Sequence, residues 1–391
     1  MKVFVISTNG ERLMPCTCAK AKKLLKSKRA KVIKLYPFTI QLEFDCEDIV
    51  QPITLGLDSG FGNIGFSCVT EKEELISGTV ILDGKTSERL TERAMYRRNR
   101  RFKLRYRKPR FLNRKRKEGW LPPSVQRRYD THLKIINLLK SVMPITKTII
   151  EVGNFDIQKL NNPDISGIDY QQGDMYEYQN MRSFLMSREK GKCQICGKEF
   201  TKTDSSHIHH IIERANGGSD RAKNLAILHK SCHNNLHKKK LKLKPNKTYK
   251  DATFMNTIKN KFWNDVSDLE VTYGYKTFTD RINLGLEKTH FTDAFVIAEG
   301  TNQKRVKTIE IKQKRRNNRS LQLNRIGFAP SIRKKRYTIQ PKDLVWIEGK
   351  KYVVKGSQNK GTVIAIFGYK KSTIGLKKIE KVYHFGSFCF N

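Results

Sequence analysis

Cys193-x2-Cys196 and His229-x2-Cys232 form two donor pairs separated by 32 residues. Thiolate and imidazole knuckles of this kind suit tetrahedral zinc, whose structural sites fill all four positions with protein ligands. An insert of about 50 residues has little apolar core of its own, so the expected role of the ion is to hold the segment folded. Between the pairs runs IHHIIERANGGSDRAKNL, and LHKSCHNNLH overlaps the second pair. His210 precedes a Gly217-Gly218 turn and Asn224, while His233 adjoins Cys232, so the staple can bring His210, Asn224 and His233 close together. His207 and His237 read as accessory or surface histidines.

A second set of residues is scattered along the chain in matching settings. Asp58 sits in LGLDSG at a strand end beside a glycine turn, Glu151 in IIEVG at another strand end, and His290 and Asp293 in KTHFTDAFVIA at the start of a helix. His290 and Asp293 are three apart and share one helical face. Each carboxylate alone would be an ordinary surface or capping residue.

These residues need elements to position them. Residues 2–7 and 39–44 read as strands, with a basic helix over 19–27 between them. ITLGLDSGFGNIGFSCV reads as a hairpin with Asp58 at its mouth, followed by a strand over 79–82. A helix spans 125–139 and leads, after Pro144, into a buried strand ending near Glu151. Residues 161–180 are loop-like, 252–266 are helical, and LVWIEG, KYVVKG and TVIAIFG are short strands near the C-terminus.

Charge dominates the composition. Seventy-eight Lys and Arg against 37 Asp and Glu leave the 391-residue chain at +41, which calls for a polyanionic partner. From Arg89 to Lys117 the basic residues, including Arg93, Arg97, Arg98, Arg100, Arg101, Arg105 and Arg107, are opposed by Glu92 alone. Tyr96, Phe102, Tyr106 and Phe111 are interleaved with them, which points to an arginine helix gripping a phosphate backbone. Further basic runs follow at 238–244 and 304–319. No apolar run approaches the roughly 20 residues of a membrane span, and the start MKVFVISTNG lacks a signal-peptide core. The expectation is a soluble, cytoplasmic, nucleoid-associated protein. Of the eight cysteines, Cys16, Cys18, Cys46, Cys68 and Cys389 read as buried or incidental thiols.

His210, Asn224 and His233 resemble the HNH nuclease motif in its zinc-stapled ββα-metal form. The resemblance implies His210 as general base, Asn224 as the residue fixing the loop that orients it, and His209 with His233 as ligands to one catalytic divalent ion. In that family the position of His229 is commonly cysteine and that of His209 commonly aspartate; both changes keep a donor. Asp58, Glu151, His290 and Asp293 resemble the RuvC-like RNase H pattern, which implies that they hold two Mg²⁺ (or Mn²⁺) ions.

An arginine helix after the first RuvC-like part, an HNH insert between the second and third, and Leu13-Met14-Pro15 near the N-terminus together resemble the IscB family. The expected architecture is multidomain α/β and α+β: an RNase H-like mixed-sheet core split in three, an inserted HNH domain and a small C-terminal β domain. Its expected boundaries are an N-terminal domain at 1–52, RuvC-like parts at 53–86, 119–165 and 250–302, a bridge helix at 87–118, the HNH domain at 175–245 and a C-terminal domain at 303–391. The resemblance implies a monomeric RNA-guided DNA endonuclease that binds a long structured guide RNA and double-stranded DNA bearing a short flanking motif. Two rival expectations are an unguided HNH endonuclease of the homing or restriction kind, and an RNA-guided DNA-binding protein that does not cut.

Overall fold

The computed structural model describes residues 2–47, 49–102, 104–106, 118–153, 155, 166–167, 178–201, 203–214, 220–238, 243, 250–314, 337–369, 373–384 and 386–390. The chain divides into two compact units, residues 155–253 and the remainder.

Among the described residues the larger unit contains three sheets. The first has the order β2-β1-β4-β3, from β1 (Lys2–Ile6), β2 (Arg12–Thr17), β3 (Ala30–Leu35) and β4 (Phe38–Leu42). Helix α1 (Cys18–Lys26) closes its core of Val3, Val5, Leu13, Ala21 and Ile40, and Thr17 caps that helix by accepting from the Lys20 amide. The expected strands and helix are present. The sequence reading passed over β2, which contains Pro15, and β3, which is lysine-rich and largely exposed.

The central sheet has seven strands: β5 (Thr54–Asp58), β6 (Asn63–Val69), β7 (Glu74–Ile81), β8 (Lys147–Val152), β11 (Leu269–Tyr273), β12 (Ile309–Gln313) and β18 (Phe388–Phe390), in the order β11-β8-β5-β6-β7-β12-β18. The strands β5, β6 and β7 form the expected antiparallel hairpin series, although β7 starts at Glu74 rather than Thr79. Strands β8 and β11 add in parallel on one side.

Alternation along the strands assigns two unlike faces. Leu55 and Leu57, Ile64 and Phe66, and Ile150 and Val152 all point to one core, where Tyr129, Ile135 and Leu139 of α3 (Pro123–Lys140) meet Phe254, Ile258 and Phe262 of a later helix (Lys250–Asp265). Gly56 and Asp58, Asn63 and Gly65, and Ile149 and Glu151 alternate with those residues and face the other way. The short helix His290–Ile297 packs on that second face against β5 and β6.

Between 303 and 391 the structure departs from the expected single domain. Strands β12 and β18 join the central sheet, β12 in parallel with β7 and β18 antiparallel to β12. The basic run expected at 304–319 therefore includes a strand of the larger sheet. A separate five-stranded sheet of order β16-β15-β14-β13-β17 comprises β13 (Leu344–Ile347), β14 (Lys350–Gln358), β15 (Val363–Ile366), β16 (Thr373–Gly375) and β17 (Lys381–Tyr383), around Val345, Val354, Ile364 and Ile366.

Helix α2 (Thr86–Phe102) carries Arg93, Arg97, Arg98, Arg100 and Arg101, of which the first three are exposed. Its start is pinned by Asp83, whose carboxylate holds Arg89 at 2.6 Å and Arg127 of α3 at 3.2 Å. Arg105 is exposed on non-helical chain beyond α2, and Arg107 lies outside the described residues, as does most of the remaining run to Lys117.

In the smaller unit, α4 (Met181–Arg188) precedes β9 (Ser206–His210) and β10 (Leu225–His229), an antiparallel pair followed by α5 (Lys230–His237). Two small clusters, one around Leu185, Leu225 and Ile227 and one around Cys193, Ala226 and Leu228, make up its core. The helix at Lys250–Asp265 is α6, and the two that follow are α7 (Gly274–Asn283) and α8 (His290–Ile297). Among the described residues no helix is long and apolar enough to cross a membrane.

Candidate functional site

The larger unit brings Asp58, Glu151, His290 and Asp293 together. Asp58 and Glu151 are direct register partners on parallel β5 and β8. Both belong to the polar face, so their side chains emerge beside each other. Helix α8 can approach this face because Gly56 and Gly65 lack side chains. A Cβ at Gly65 would overlap the His290 carbonyl oxygen, and one at Gly56 would overlap the backbone of Ala294 and Ala298. The Thr289 side chain caps α8 by accepting from the Thr292 amide, fixing where the helix begins. His290 then meets Asp58 through Nδ1 at 2.6 Å, and its Nε2 lies 3.3 Å from Asn63 Nδ2.

Electrostatics mark the centre as short of cations. Burial pushes the Glu151 carboxyl up to about 7; the neighbouring Thr277 hydroxyl opposes this, and the carboxylates of Asp58 and Asp293 add to it. Burial, followed by Asp58, also raises Asp293, while Arg281 pulls the other way through a 2.8 Å ion pair. The hydrogen bond to Asp58 holds His290 above the usual imidazole range. Hard carboxylate oxygens suit Mg²⁺ or Mn²⁺. A pair of ions about 3.5–4 Å apart needs donors more widely spaced than a single ion does, and this donor set is not among the tight clusters described next.

In the smaller unit two groups have all their donor atoms within 4.8 Å of one another: Cys193, Cys196, His229 and Cys232, and His209, His233 and His237. The first is the expected knuckle pair. Its donors come from the loop before β9, the end of β10 and the first turn of α5. His229 Nδ1 lies 3.3 Å from Cys196 Sγ, while Nε2 donates to the Glu199 carbonyl at 3.0 Å, which leaves the Nδ1 lone pair facing the sulfurs. Burial opposes ionisation of Cys193, yet the backbone amides of Cys196, His229 and Ile195 prevail and draw it down to about 6. Burial pushes Cys232 up to about 12, so a cation is required before all three thiols ionise. The soft, partly ionised set fits zinc.

The second group contains the expected His209 and His233 together with His237, which the sequence reading set aside as accessory. The spacing could have revealed it: His233 and His237 are four apart and share one face of α5. Their Nε2 atoms are 3.2 Å apart, and both rings meet His209 edge-on, at 5.2 and 5.3 Å. His207 alternates onto the same face of β9 as His209 and stacks on His233. Burial and then the neighbouring imidazoles lower both His209 and His233, leaving neutral nitrogens available to a metal.

His210 points to the opposite side of β9. Its Nε2 is 2.7 Å from Asp220, which also accepts from Arg214. Asn224 clamps the loop after β9: its Oδ1 accepts from the Ile212 amide at 2.9 Å, its Nδ2 donates to the Ile212 carbonyl at 3.0 Å, and its own carbonyl accepts from the Ile211 amide. Asp220, Arg281, Thr277 and Asn63 were not foreseen. None has a telling neighbour in sequence, because each acts across a fold contact.

Residues 193–239 match the HNH endonuclease family, and residues 3–173 match the RRXRR protein family. Arg97-Arg98-Asn99-Arg100-Arg101 contains that pattern literally. A curated relative, anaredoxin of Nostoc sp., is 31% identical over 68 residues, covering 17% of this chain and 86% of its own. Among solved structures, Streptococcus thermophilus Cas9 in complex with the AGAA PAM is similar over 59% of this chain and 32% of its own, at 13% identity and a TM-score of 0.35. The same protein with the GGAA PAM covers 62% and 31%, at 12% identity and a TM-score of 0.34. The chain thus spans about a third of the length of these structures. The HNH match over the ββα unit and its histidines defines a metal-dependent endonuclease. That domain follows an RRXRR region on the same chain, an arrangement that supports an IscB-like nuclease.

Proposed function

We propose that the protein is an RNA-guided double-stranded DNA endonuclease with two centres, the HNH unit cutting the guide-paired strand and the Asp58–Glu151 centre cutting the displaced strand. The observation that supports this best is the presence of two chemically distinct candidate centres on one chain, one rich in carboxylates and one rich in histidines. Base pairing with the guide selects the target, and the protein reads backbone and a short flanking motif. The arginines of α2 lie along the guide and heteroduplex, and the five-stranded C-terminal sheet reads the flanking motif. The expected domain boundaries carry over, with β12 and β18 assigned to the RuvC-like core.

In the HNH unit, Asp220 accepts from Nε2 of His210, so Nδ1 is the nitrogen free to take a proton from the attacking water. Asn224 holds the Ile211–Ile212 backbone and thereby the direction of the His210 ring. His209, His233 and His237 would hold one divalent ion, and Cys193, Cys196, His229 and Cys232 a structural zinc. In the larger unit Asp58, Glu151, His290 and Asp293 would hold two Mg²⁺ ions. When bound, the catalytic ions stabilise charge on the attacking and leaving oxygens. Arg281 neutralises Asp293 and keeps its carboxylate oriented across the face of the sheet.

The test is Mg²⁺-dependent plasmid cleavage by the protein copurified with its RNA. Asp58→Ala and His210→Ala should each leave a nickase, with opposite strands spared and the lost strand cut about a thousandfold more slowly. Linear product from either single variant would contradict the division of labour. A copurified RNA that is random cellular RNA, rather than one structured species with a variable end, would contradict guidance.

A further inference from the structure

Helix α7 turns an unusual face to solvent. Tyr275, Phe278 and Ile282 are 74, 54 and 54% exposed, and Tyr273, just before the helix, is 38% exposed. Positions 275, 278 and 282 fall on one stripe, because spacings of three and four return to the same side of a helix. The Tyr273 and Tyr275 rings are nearly parallel, 10° apart in plane. The inward face of this helix is polar: Thr277 and Arg281, four apart, are 4 and 7% exposed. At 3.6 residues per turn the aromatic stripe lies roughly 110° around the helix from them. A short amphipathic helix ordinarily buries its rings and exposes its threonine and arginine; here the arrangement is reversed.

The buried face explains where the stripe is. Buried Thr277 acts on the Glu151 carboxyl, Arg281 pairs with Asp293 at 2.8 Å, and a Cβ on Gly274 would come within 3.3 Å of Glu151 Oε1. Tyr275 is the next residue after Gly274, so its Cα is about 3.8 Å along the chain from a residue that touches the carboxylate centre. A phosphodiester presented to Asp58 and Glu151 must therefore carry its neighbouring nucleotides past these rings. The only acidic residue on α7, Asp280, lies away from the stripe, and the Arg281 guanidinium lies 5.6 Å from the Phe278 ring centre. Exposed aromatic faces beside a phosphodiester centre are suited to unpaired bases, whose π-faces stack regardless of sequence.

We propose that Tyr273, Tyr275 and Phe278 form a base-stacking platform that positions single-stranded DNA at the carboxylate centre. The proposal rests on reading that centre as the displaced-strand nuclease. The rings are positioning residues: they hold nucleotides next to the scissile phosphate and take no part in proton or metal chemistry. A paired duplex presents no free base faces to them, so the platform favours the displaced strand over double-stranded DNA.

The experiment uses the full chain and an oligodeoxythymidylate of about 12 nucleotides, within the span of known single-strand sites, carrying 5-iodouracil. Binding is measured without Mg²⁺ at about 0.3 M salt, where non-specific phosphate attraction is weakened. Photocrosslinks should map to Tyr273, Tyr275 or Phe278. Combined Tyr275→Ala and Phe278→Ala should raise Kd about tenfold or more, whereas Tyr275→Trp with Phe278→Tyr should restore it. The slope of log Kd against log salt should stay the same, since no phosphate contact is removed. Crosslinks confined to other segments, wild-type affinity in the double alanine variant, or self-association of the chain through the stripe would overturn the proposal. Its failure is separable from failure of the nuclease reading: strand-specific nicking by Asp58→Ala tests that centre and does not involve the rings.

Discussion

The two candidate centres are built in opposite ways. The carboxylate centre is assembled from three remote segments, and every donor sits on an element anchored in a large core: β5 and β8 over Leu57 and Ile150, and α8 seated on Gly56 and Gly65. The HNH unit collects its donors within residues 193–237 and, among the described residues, has two small apolar clusters beneath them. One centre is a consequence of packing, so its geometry is as stable as the sheet. The other would be held largely by coordination, its geometry as stable as the zinc that Cys193, Cys196, His229 and Cys232 would bind. Damage should therefore travel differently in the two.

The largest expected effect is on the zinc. Structural zinc in small domains contributes on the order of 10 kcal/mol of apparent folding free energy. Chelation, or Cys193→Ser, should open residues 178–238 to proteolysis and abolish target-strand cutting. The melting of the larger unit, followed by calorimetry, should not move. If both units melt together on chelation, the division into a packed and a stapled centre is wrong.

A reciprocal break is available at Gly65. An alanine there places a methyl group onto the His290 carbonyl oxygen, a backbone atom that cannot swing aside. Gly65→Ala should cost about 3 kcal/mol, the upper range for overpacking, and should displace α8 from Asp58. Displaced-strand cutting should fall sharply while target-strand cutting is retained. Equal loss on both strands would mean that the two centres share a structural dependence that their separate cores do not suggest.

How much of this was legible beforehand follows the same contrast. The zinc knuckles are local in sequence and stand out by spacing, and His210 and Asn224, equally local, were singled out by resemblance to the HNH motif. Asp58 and Glu151 were set at strand ends by the glycines beside them, and their resemblance to the RuvC-like pattern grouped them with His290 and Asp293. Helix α7 was missed because its apolar residues are its exposed ones, and hydrophobic periodicity assumes the reverse. Strand β12 was hidden in a basic run, where Ile309 and Ile311 are too few to signal a strand. Arg281 and Asp220 had no signal at all: their partners, Asp293 and His210, are chosen by tertiary contact.

Acid should separate the cores as well. His132 of α3 is fully buried between Phe254 and Phe262, and its Nδ1 donates to the Arg128 carbonyl. Burial drives its pKa down to about 4, against about 6.5 in the unfolded chain. Below 6.5 the unfolded state takes up a proton that the folded state refuses, so stability falls with pH until the folded group also titrates near 4. Between pH 7 and 5 this one residue should remove about 2 kcal/mol from the larger unit. His132→Phe, which keeps a ring between the two phenylalanines, should flatten that dependence in urea titrations at the two pH values. An unchanged slope would mean that the histidine is already charged in the native core.

The smallest effect sharpens the HNH side of the comparison. Asp220 is exposed, yet it holds the one tautomer of His210 that leaves Nδ1 basic. Its hydrogen bonds from His210 and Arg214 keep its carboxyl below the usual aspartate range, so it stays ionised as an acceptor across neutral pH. Water can replace an exposed acceptor, whereas it cannot replace Asp58 at the buried centre. Asp220→Ala should therefore slow target-strand cutting only about tenfold, while Asp220→Glu should restore much of the rate if it reaches the same nitrogen. Zinc content and displaced-strand cutting should be unaffected. A loss as deep as that of His210→Ala would show that Asp220 does more than orient the ring, and no loss would show that the Asn224 clamp on the Ile211–Ile212 backbone orients it unaided.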